Sequence, residues 1–323
     1  MNTLHIFKYI KFSLGLSLVA AIFYPTAGAA TGLYATDSDA LGQGTIVRVT
    51  TGSVAPYATA QGSFSGGLTF DTTGNLYATD YDPSAGRYVI DKIVNGIISN
   101  YAIAQSNFSG GLTSDAAGNL YATDYDPLTG QSIIDLISNG TVSTYATTAG
   151  SFERLAVAPD GTLYASNYDP LTGRYAIERI VSGIVTTYQS AGNGFSGGLA
   201  VDASGNLYAT AIDSATGKSK IDRVTTSSVT TYAMAQSSFG GSLAFDPNGN
   251  LYATDFDPVT GSSIIDRITN GNVTTHAMAQ SNFGGLAFDA SAAPTAVPEP
   301  LTIIGTFVGG TAAVSIRRRF KAR

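Results

Sequence analysis

Short apolar runs alternate with polar turns through the middle of the chain, and this pattern recurs at a nearly constant interval. The tripeptide Leu-Tyr-Ala occurs six times, 43 or 44 residues apart, beginning at Leu33, Leu76, Leu120, Leu163, Leu207 and Leu251. Within each interval, apolar and polar residues alternate over short stretches bounded by Gly, Asn and Asp, which is typical of β-strands. The middle of the chain is therefore predicted to be an array of one small β unit.

The unit at residues 67–110 shows the strand pattern. Its predicted strands cover residues 67–71, 76–80, 87–94 and 97–103. A turn containing Gly74, a loop over residues 81–86 and the hairpin signal Asn95-Gly96 separate them. Four antiparallel strands in a unit of this length predict one blade of a β-propeller. A β-solenoid is the alternative, but solenoid coils are shorter.

The two ends of the array predict how it closes. The first unit begins at Gly32 without a first strand of its own, and residues 285–289 form a first strand without a blade. The sequence therefore predicts an all-β, six-bladed propeller of four-stranded blades over residues 30–290, with the C-terminal strand completing the N-terminal blade. Glycine pairs such as Gly66-Gly67 open the first strands, which we place innermost because glycine permits close approach at the axis.

The repeated motif Asp-x-x-Gly-Asn-Leu-Tyr-Ala-Thr-Asp, as in residues 71–80, resembles the NHL and gluconolactonase-type six-bladed propellers over residues 32–289. That superfamily includes lactonases, lyases and binding platforms, so the resemblance implies the fold more strongly than an activity. A gluconolactonase-like activity implies a channel metal held by acidic and amide side chains, and a lyase-like activity implies a histidine base. His276, which replaces a repeated Tyr, is predicted to be an aromatic residue of an outer strand instead.

The N-terminal end carries a different pattern. Residues 1–29 combine Lys8 and Lys11 with an apolar run at residues 12–24 and a small-residue cleavage site between Ala29 and Ala30. This arrangement predicts a secretory signal peptide. An uncleaved membrane anchor is the alternative.

The C-terminal end, residues 298–323, resembles a PEP-CTERM sorting signal. Val297-Pro298-Glu299-Pro300 precedes an apolar run at residues 301–316 and the basic cluster Arg317-Arg318-Arg319. The resemblance implies a Gram-negative bacterium, a transmembrane helix over the apolar run, and removal of the tail by an exosortase, which is a membrane protease-transpeptidase. A plain C-terminal anchor is the alternative. Residues 291–297 are predicted to be a flexible linker.

The two ends of the chain together predict its cellular localisation. The basic cluster is expected on the cytoplasmic side, so the body lies outside the inner membrane. We expect exosortase and the secretion machinery as partners, transient tethering to the inner membrane through residues 301–316, and a final place at the cell surface or in the extracellular matrix. Both terminal segments are expected to be helical.

Composition excludes several kinds of site. The chain has no Cys and two His, which argues against disulfides, thiolate metal sites and histidine-based catalytic triads. Seven of the 17 Lys and Arg residues and one of the 23 acidic residues lie in the terminal regions, so residues 30–296 carry 22 acidic and 10 basic residues, a net charge of −12. A body this acidic repels phosphate backbones, so no nucleic-acid partner is expected.

The loop between the second and third strands carries candidate metal ligands. In three units it reads Asp-x-Asp-Pro-x-x-Gly, and another Asp follows eleven residues after the first. Carboxylates at positions 1, 3 and 12 resemble a calcium loop, although glycine stands at position 7 and not at 6. The alternative is a solvated turn capped by Asp, with no cofactor. The candidate ligands are Asp80, Asp82, Asp91, Asp124, Asp126, Asp135, Asp255, Asp257 and Asp266.

One pair of residues breaks the repeat. Glu153-Arg154 stands where other first strands carry small residues, which places two charges near the axis. The pair is a candidate ligand contact at the channel mouth, and the alternative is a self-satisfied ion pair. A second candidate surface is a set of aromatic residues suited to contact polysaccharide or, alternatively, to pack on outer strands: Tyr81, Tyr88, Tyr125, Tyr168 and Tyr175.

These observations predict a secreted, non-catalytic module that binds an extracellular protein or polysaccharide. The alternatives are a metal-dependent lactonase or hydrolase of the gluconolactonase type, acting in the channel near Glu153, and a purely structural matrix protein.

Overall fold

The computed structural model describes residues 32–38, 44–60, 62–190 and 194–291. The predicted signal peptide, its cleavage site and the predicted sorting signal lie outside these residues. Within them, no helix is long and apolar enough to cross a membrane.

In the described ranges, 24 β-strands form six four-stranded antiparallel sheets. The first strands are β4 (Ser63–Phe70), β8 (Asn107–Ser114), β12 (Ser151–Val157), β16 (Phe195–Val201), β20 (Phe239–Phe245) and β24 (Asn282–Asp289). The second strands are β1 (Gly32–Ser38), β5 (Leu76–Asp82), β9 (Leu120–Asp126), β13 (Leu163–Asp169), β17 (Leu207–Ile212) and β21 (Leu251–Asp257).

The outer half of each sheet completes the blade. The third strands are β2 (Gly44–Thr50), β6 (Arg87–Val94), β10 (Gln131–Ser138), β14 (Arg174–Val181), β18 (Ser219–Val224) and β22 (Ser262–Thr269). The fourth strands are β3 (Ser53–Thr59), β7 (Ile97–Ile103), β11 (Thr141–Thr148), β15 (Ile184–Gln189), β19 (Val229–Met234) and β23 (Asn272–Ala279).

The ring closes as the sequence predicts. β24 pairs antiparallel with β1, with Gly32 opposite Asp289 and Leu33 opposite Phe288, and the sheet order is β24-β1-β2-β3. We call this sheet blade 1, and blades 2 to 6 follow in chain order. Each first strand contacts the first strands of both neighbouring blades, so the six first strands surround the axis. The six-bladed propeller and its mode of closure are therefore confirmed.

The first strands begin earlier than predicted because each contains a β-bulge. β4 begins at Ser63 and not at Gly67, and its pairing with β5 shifts register between Phe64 and Leu68. The bulge leaves the Gly67 amide without a ladder partner, and Thr79 Oγ1 accepts a hydrogen bond from it at 3.0 Å. Other first strands make the same bond, from Gly111, Arg154, Gly198, Ser242 and Gly285 to Thr123, Ser166, Thr210, Thr254 and Thr36.

The second strand also runs further than predicted, to Asp82 and not to Asp80. Tyr81 pairs with Tyr88 and Asp82 with Arg87 across the start of β6, so strand pairing continues into the predicted loop. We call the side that carries these loops the 2–3 face and the opposite side, with the turns between first and second strands, the 1–2 face.

Crowding at the axis explains the glycines. A Cβ atom added to Gly67 would lie 3.0 Å from the carbonyl oxygen of Gly110, and one added to Gly285 would lie 2.1 Å from that of Gly66. Below these positions the channel is lined by six leucines, one from each first strand, which are 5–7% exposed. They are Leu68, Leu112, Leu155, Leu199, Leu243 and Leu286.

The hydrophobic core lies between blades and is divided into six similar clusters. The Tyr of each Leu-Tyr-Ala motif meets an aromatic residue of the fourth strand, with ring centroids 4.9–5.1 Å apart. In blade 6 this partner is His276, which lies edge-on to Tyr252. His276 therefore is an outer-strand aromatic, as predicted, and burial lowers its pKa.

Closure should be essential for stability. A chain that ends at Ser281 lacks β24, and with it Leu286, which packs in the cluster that contains Leu33 and Tyr252. Removing one buried Leu side chain costs about 2–5 kcal/mol, a large part of a typical total of about 5–15 kcal/mol. In urea unfolding followed by circular dichroism, we expect residues 30–281 to show no cooperative transition. Residues 30–291 are the control, and an equal midpoint for both chains would show that closure is dispensable.

Candidate functional site

Arg154 occupies the channel mouth on the 2–3 face. Its Nη1 donates a hydrogen bond to the carbonyl oxygen of Gly110 at 2.9 Å and approaches that of Gly66 at 3.5 Å. On the other side, a Cβ atom added to Gly241 would lie 3.6 Å from Arg154 Nε. One side chain from blade 4 therefore reaches backbone of blades 2, 3 and 6. Burial lowers the pKa of Arg154 and the charge of Glu153 opposes this, but a guanidinium remains protonated.

Glu153 turns away from Arg154 and meets Tyr175 of the same blade. The Tyr175 hydroxyl lies 2.8 and 2.9 Å from the two carboxylate oxygens and donates its proton to this carboxylate. Burial and then this hydrogen bond raise the pKa of Tyr175. The Tyr175 ring is tilted against Tyr168, with centroids 5.0 Å apart. The alternative, a self-satisfied ion pair between Glu153 and Arg154, is not found, since Arg154 bonds the Gly110 carbonyl and Glu153 accepts from Tyr175.

The candidate metal ligands fall into two separate groups. The first group consists of buried carboxyl pairs, which join the end of a second strand to the third strand: Asp80 with Asp91, Asp124 with Asp135, and Asp255 with Asp266. Neither oxygen of Asp135 receives a hydrogen bond from a described donor other than Asp124, whereas Asp266 interacts with both Asp255 and the Thr275 hydroxyl. Two buried carboxyl groups that hydrogen-bond each other cannot both be charged, so one proton is held within each pair.

Burial is the main cause of the raised pKa values in these pairs. Burial, and then the neighbouring acid, raises the pKa of Asp91 to about 7, of Asp135 to about 8 and of Asp266 to about 7. The other member of the pair binds backbone. Asp124 accepts hydrogen bonds from the amide of Ser106, at the end of the connection from blade 2, and from that of Asn107, the first residue of β8. Through Asp124, the carboxyl pair of blade 3 therefore holds the start of β8 in place.

The second group caps exposed turns. Asp126 Oδ1 accepts a hydrogen bond from the Leu128 amide at 2.8 Å, and its Oδ2 accepts one from Thr129 Oγ1 at 2.7 Å. Asp257 does the same in its own loop, and Asp82 accepts through Oδ1 from the Ser84 amide and hydroxyl. These hydrogen bonds lower the pKa of all three.

The proposed calcium motif is thereby divided between a buried pair and a surface cap. In blade 2, Asp80, Asp82 and Asp91 border one cavity of 330 Å³, but Asp82 is held by its turn. Among the described residues, no group of three or more His, Asp or Glu side chains is placed to hold a metal ion. Calcium binding stays a prediction from the sequence.

Blades 4 and 5 replace the carboxyl pair with other partners. In blade 4 the two positions hold Asn167 and Glu178. In blade 5, Ala211 takes the position of the first acid, and Lys220 stands where the third strands of blades 2, 3, 4 and 6 have an aliphatic residue. Lys220 Nζ lies 2.8 Å from Asp222 Oδ2, which neutralises the remaining acid. This exchange is visible in the sequence as two departures from the repeat, at Ala211 and at Lys220, but the sequence does not predict that Lys220 pairs with Asp222.

Comparison with known proteins supports the fold. No protein-family model and no curated protein matches the chain. Among solved structures, a nidogen–laminin complex has a TM-score of 0.62 at 15% identity, covering 81% of this chain and 100% of that chain. A putative TolB from Agrobacterium tumefaciens has a TM-score of 0.60 at 14% identity, covering 79% and 92%. A gluconolactonase from Xanthomonas campestris has a TM-score of 0.51 at 14% identity, covering 75% and 84%. At these identities the structural likeness supports the six-bladed propeller fold alone, with a gluconolactonase among its structural neighbours.

The carboxyl pairs should make stability depend on pH. Their folded-state pKa values exceed the value of about 3.9 for an unfolded Asp, so the folded state binds more protons between these limits. Stability from these protons is complete below pH 4 and is lost as the pH rises towards 7 or 8, the raised values of Asp91, Asp135 and Asp266. We expect the free energy of unfolding of residues 30–291, measured in urea, to fall steadily over this window.

Asp135→Asn tests the cause directly. The amide can donate to Asp124 without a shared proton, so this variant should lose part of the slope and be more stable than wild type at pH 8. Asp126→Asn changes an exposed cap on the same blade and should leave the slope unchanged. A pH-independent wild type, or equal slopes in wild type and Asp135→Asn, would contradict the shared proton.

Proposed function

We propose that this chain is an exported β-propeller of the cell surface or extracellular matrix of a Gram-negative bacterium, and that its 2–3 face binds a polysaccharide or a protein without catalysis. Support for export comes from the sequence of residues 1–29 and from the PEP-CTERM resemblance of residues 298–323. Exosortase and the secretion machinery are the processing partners that this address requires.

The main support for a binding role is that the charged side chains at the channel mouth, Glu153 and Arg154, are both engaged in hydrogen bonds. General acid–base catalysis needs a group free to exchange a proton with a reacting atom. Here Arg154 is bonded to backbone carbonyls across the axis, and Glu153 accepts the Tyr175 hydroxyl. These groups form a fixed surface whose polar atoms already have partners.

The same residues do not fit the channel metal of gluconolactonase-type enzymes. Such a metal requires several acidic and amide side chains converging on the axis. The mouth offers one carboxylate, Glu153, and a guanidinium, Arg154, whose positive charge would repel a cation. We therefore do not extend lactone hydrolysis to this chain.

The 2–3 face also presents apolar side chains on rigid turns. Leu128, Leu171 and Val259 are 95%, 96% and 91% exposed at the tips of Asp-capped loops. Tyr125 and Phe256 lie just before two of these loops and are each 43% exposed. Exposed apolar residues held in fixed positions favour recognition of a partner. A fold neighbour solved as a nidogen–laminin complex is compatible with such a role.

Export is tested by the accessibility of one introduced cysteine. The chain has no Cys, so Leu128→Cys in the full-length protein provides a single reactive thiol at an exposed position. In a Gram-negative host, we expect a membrane-impermeant maleimide to label it in intact spheroplasts. Labelling only after lysis would place the body in the cytoplasm and overturn export.

The binding face is tested with two cysteines of blade 3. Leu128→Cys lies on the 2–3 face, and Ala116→Cys is an equally simple exposed position on the 1–2 face. Each is coupled to a bulky maleimide-polyethylene glycol, and retention on exopolysaccharide and on outer-membrane protein fractions is measured. We expect about tenfold or greater loss for the Leu128→Cys conjugate alone, since the polymer covers the recognition surface. Equal retention of both conjugates would exclude the 2–3 face.

A further inference from the structure

A cavity of 470 Å³ opens on the 2–3 face between blades 4 and 5. Its volume lies within the range of about 300–1,000 Å³ that is usual for small-molecule sites. Blade 5 departs from the repeat beside this cavity. Ile212 stands where the second strands of blades 2, 3, 4 and 6 carry an aromatic residue, namely Tyr81, Tyr125, Tyr168 and Phe256. Its cross-strand partner is the small Ser219, so blade 5 carries no aromatic ring at this strand pair.

Tyr175 forms one wall of this cavity. Its ring is half-buried and is held from two sides, by the hydrogen bond to Glu153 and by the contact with Tyr168. An aromatic ring that is already fixed in place loses little conformational freedom when a ligand packs on it. It offers a flat apolar platform of the kind that the C–H face of a sugar ring covers.

Polar groups on the other walls include both donors and acceptors in balanced charge. Arg174 borders the cavity, is exposed and supplies guanidinium donors. Asp213 borders it as well; its Oδ1 accepts hydrogen bonds from the amides of Ala215 and Thr216, and its Oδ2 accepts none from the described residues. Lys220 is neutralised by Asp222. Donors and acceptors around an aromatic platform suit hydroxyl groups, while the balanced charge gives no preference for an ionic ligand.

We propose that this groove between blades 4 and 5 binds a short stretch of an uncharged polysaccharide, with one sugar ring packed on Tyr175 and hydroxyls bonded to Arg174 and Asp213. The inference rests on the proposed function and narrows it. The net charge of −12 over residues 30–296 also disfavours a polyanionic chain, because the whole body repels it. A polycation would be attracted to the body but would meet Arg174 in the groove.

The test uses the full-length chain in a sugar-free zwitterionic detergent. Binding of uncharged gluco-, galacto- and manno-oligosaccharides is measured by calorimetry, with oligogalacturonate and oligoglucosamine as charged comparators. At least one uncharged oligosaccharide should bind more tightly than both comparators. Tighter binding of either charged comparator, or binding of none of the uncharged probes, would overturn the inference.

Variants locate the site. Ile212→Tyr restores the aromatic residue that other blades carry, so it should fold and fill the groove, with loss of binding. Tyr175→Ala and Arg174→Gln should each weaken binding by about tenfold or more, while Tyr175→Phe, which keeps the ring, should lose less. The controls are Tyr88→Ala and Arg87→Gln, at the same strand positions in blade 2, and these should bind normally.

The outcomes separate the inference from the proposed function. Sugar binding that survives both Ile212→Tyr and Tyr175→Ala would place the ligand elsewhere and overturn the groove. If the Leu128→Cys conjugate still fails to bind extracellular fractions in that case, the 2–3 face remains the binding face. If that conjugate binds normally, the proposed function fails as well.

Discussion

The six first strands surround one axis, and the limited space there determines which residues and which strand pairings each blade can have. At the level of Gly67, a side chain would collide with the backbone of the next blade, at 3.0 Å from the Gly110 carbonyl oxygen. The strands accommodate this crowding with a bulge, and the bulge frees an amide that Thr79 must satisfy. The glycine pair and the threonine of Leu-Tyr-Ala-Thr are thus two parts of one solution, separated in sequence and joined across the strand pair.

Because space at the axis is so limited, the charged residues that blade 4 places there are unusual. Where small residues are required elsewhere, Glu153 and Arg154 bring two long side chains to the one place at which all six blades meet. Arg154 keeps the bulge bond of its backbone, to Ser166, and extends its guanidinium over the axis. Glu153 leaves the axis and fixes Tyr175. The repeat supplies the fold, and the departure from it supplies an asymmetric surface, which is what recognition of a particular partner needs.

Much of the fold could be predicted because each signal was repeated. The hairpin at Asn95-Gly96 and the unpaired first strand at the C-terminus fixed blade boundaries and closure, and the structure agrees. The bulge could not be predicted, since it arises from contact between blades that pairing rules within one blade do not contain. Nor could the division of the acidic motif. Spacing placed Asp124, Asp126 and Asp135 in one set. Asp124 and Asp126 share a face of β9, but Asp126 is the last residue of the strand, so burial joins Asp124 to Asp135 and leaves Asp126 to cap the following turn.

Blade 5 shows how stability and the candidate groove are connected. A buried acid on the third strand needs a partner, and in blades 2, 3 and 6 this is a second acid with a shared proton. Blade 5 has Ala211 at that position, which would leave Asp222 buried and charged, and Lys220 compensates with an ion pair at 2.8 Å. The replacement removes the carboxyl that ties the connection between blades, beside the same strand end where Ile212 has lost the aromatic ring. The groove therefore lies beside the strand pair where Ala211 and Lys220 together replace the carboxyl pair, and the Lys220 ion pair keeps the buried Asp222 compensated.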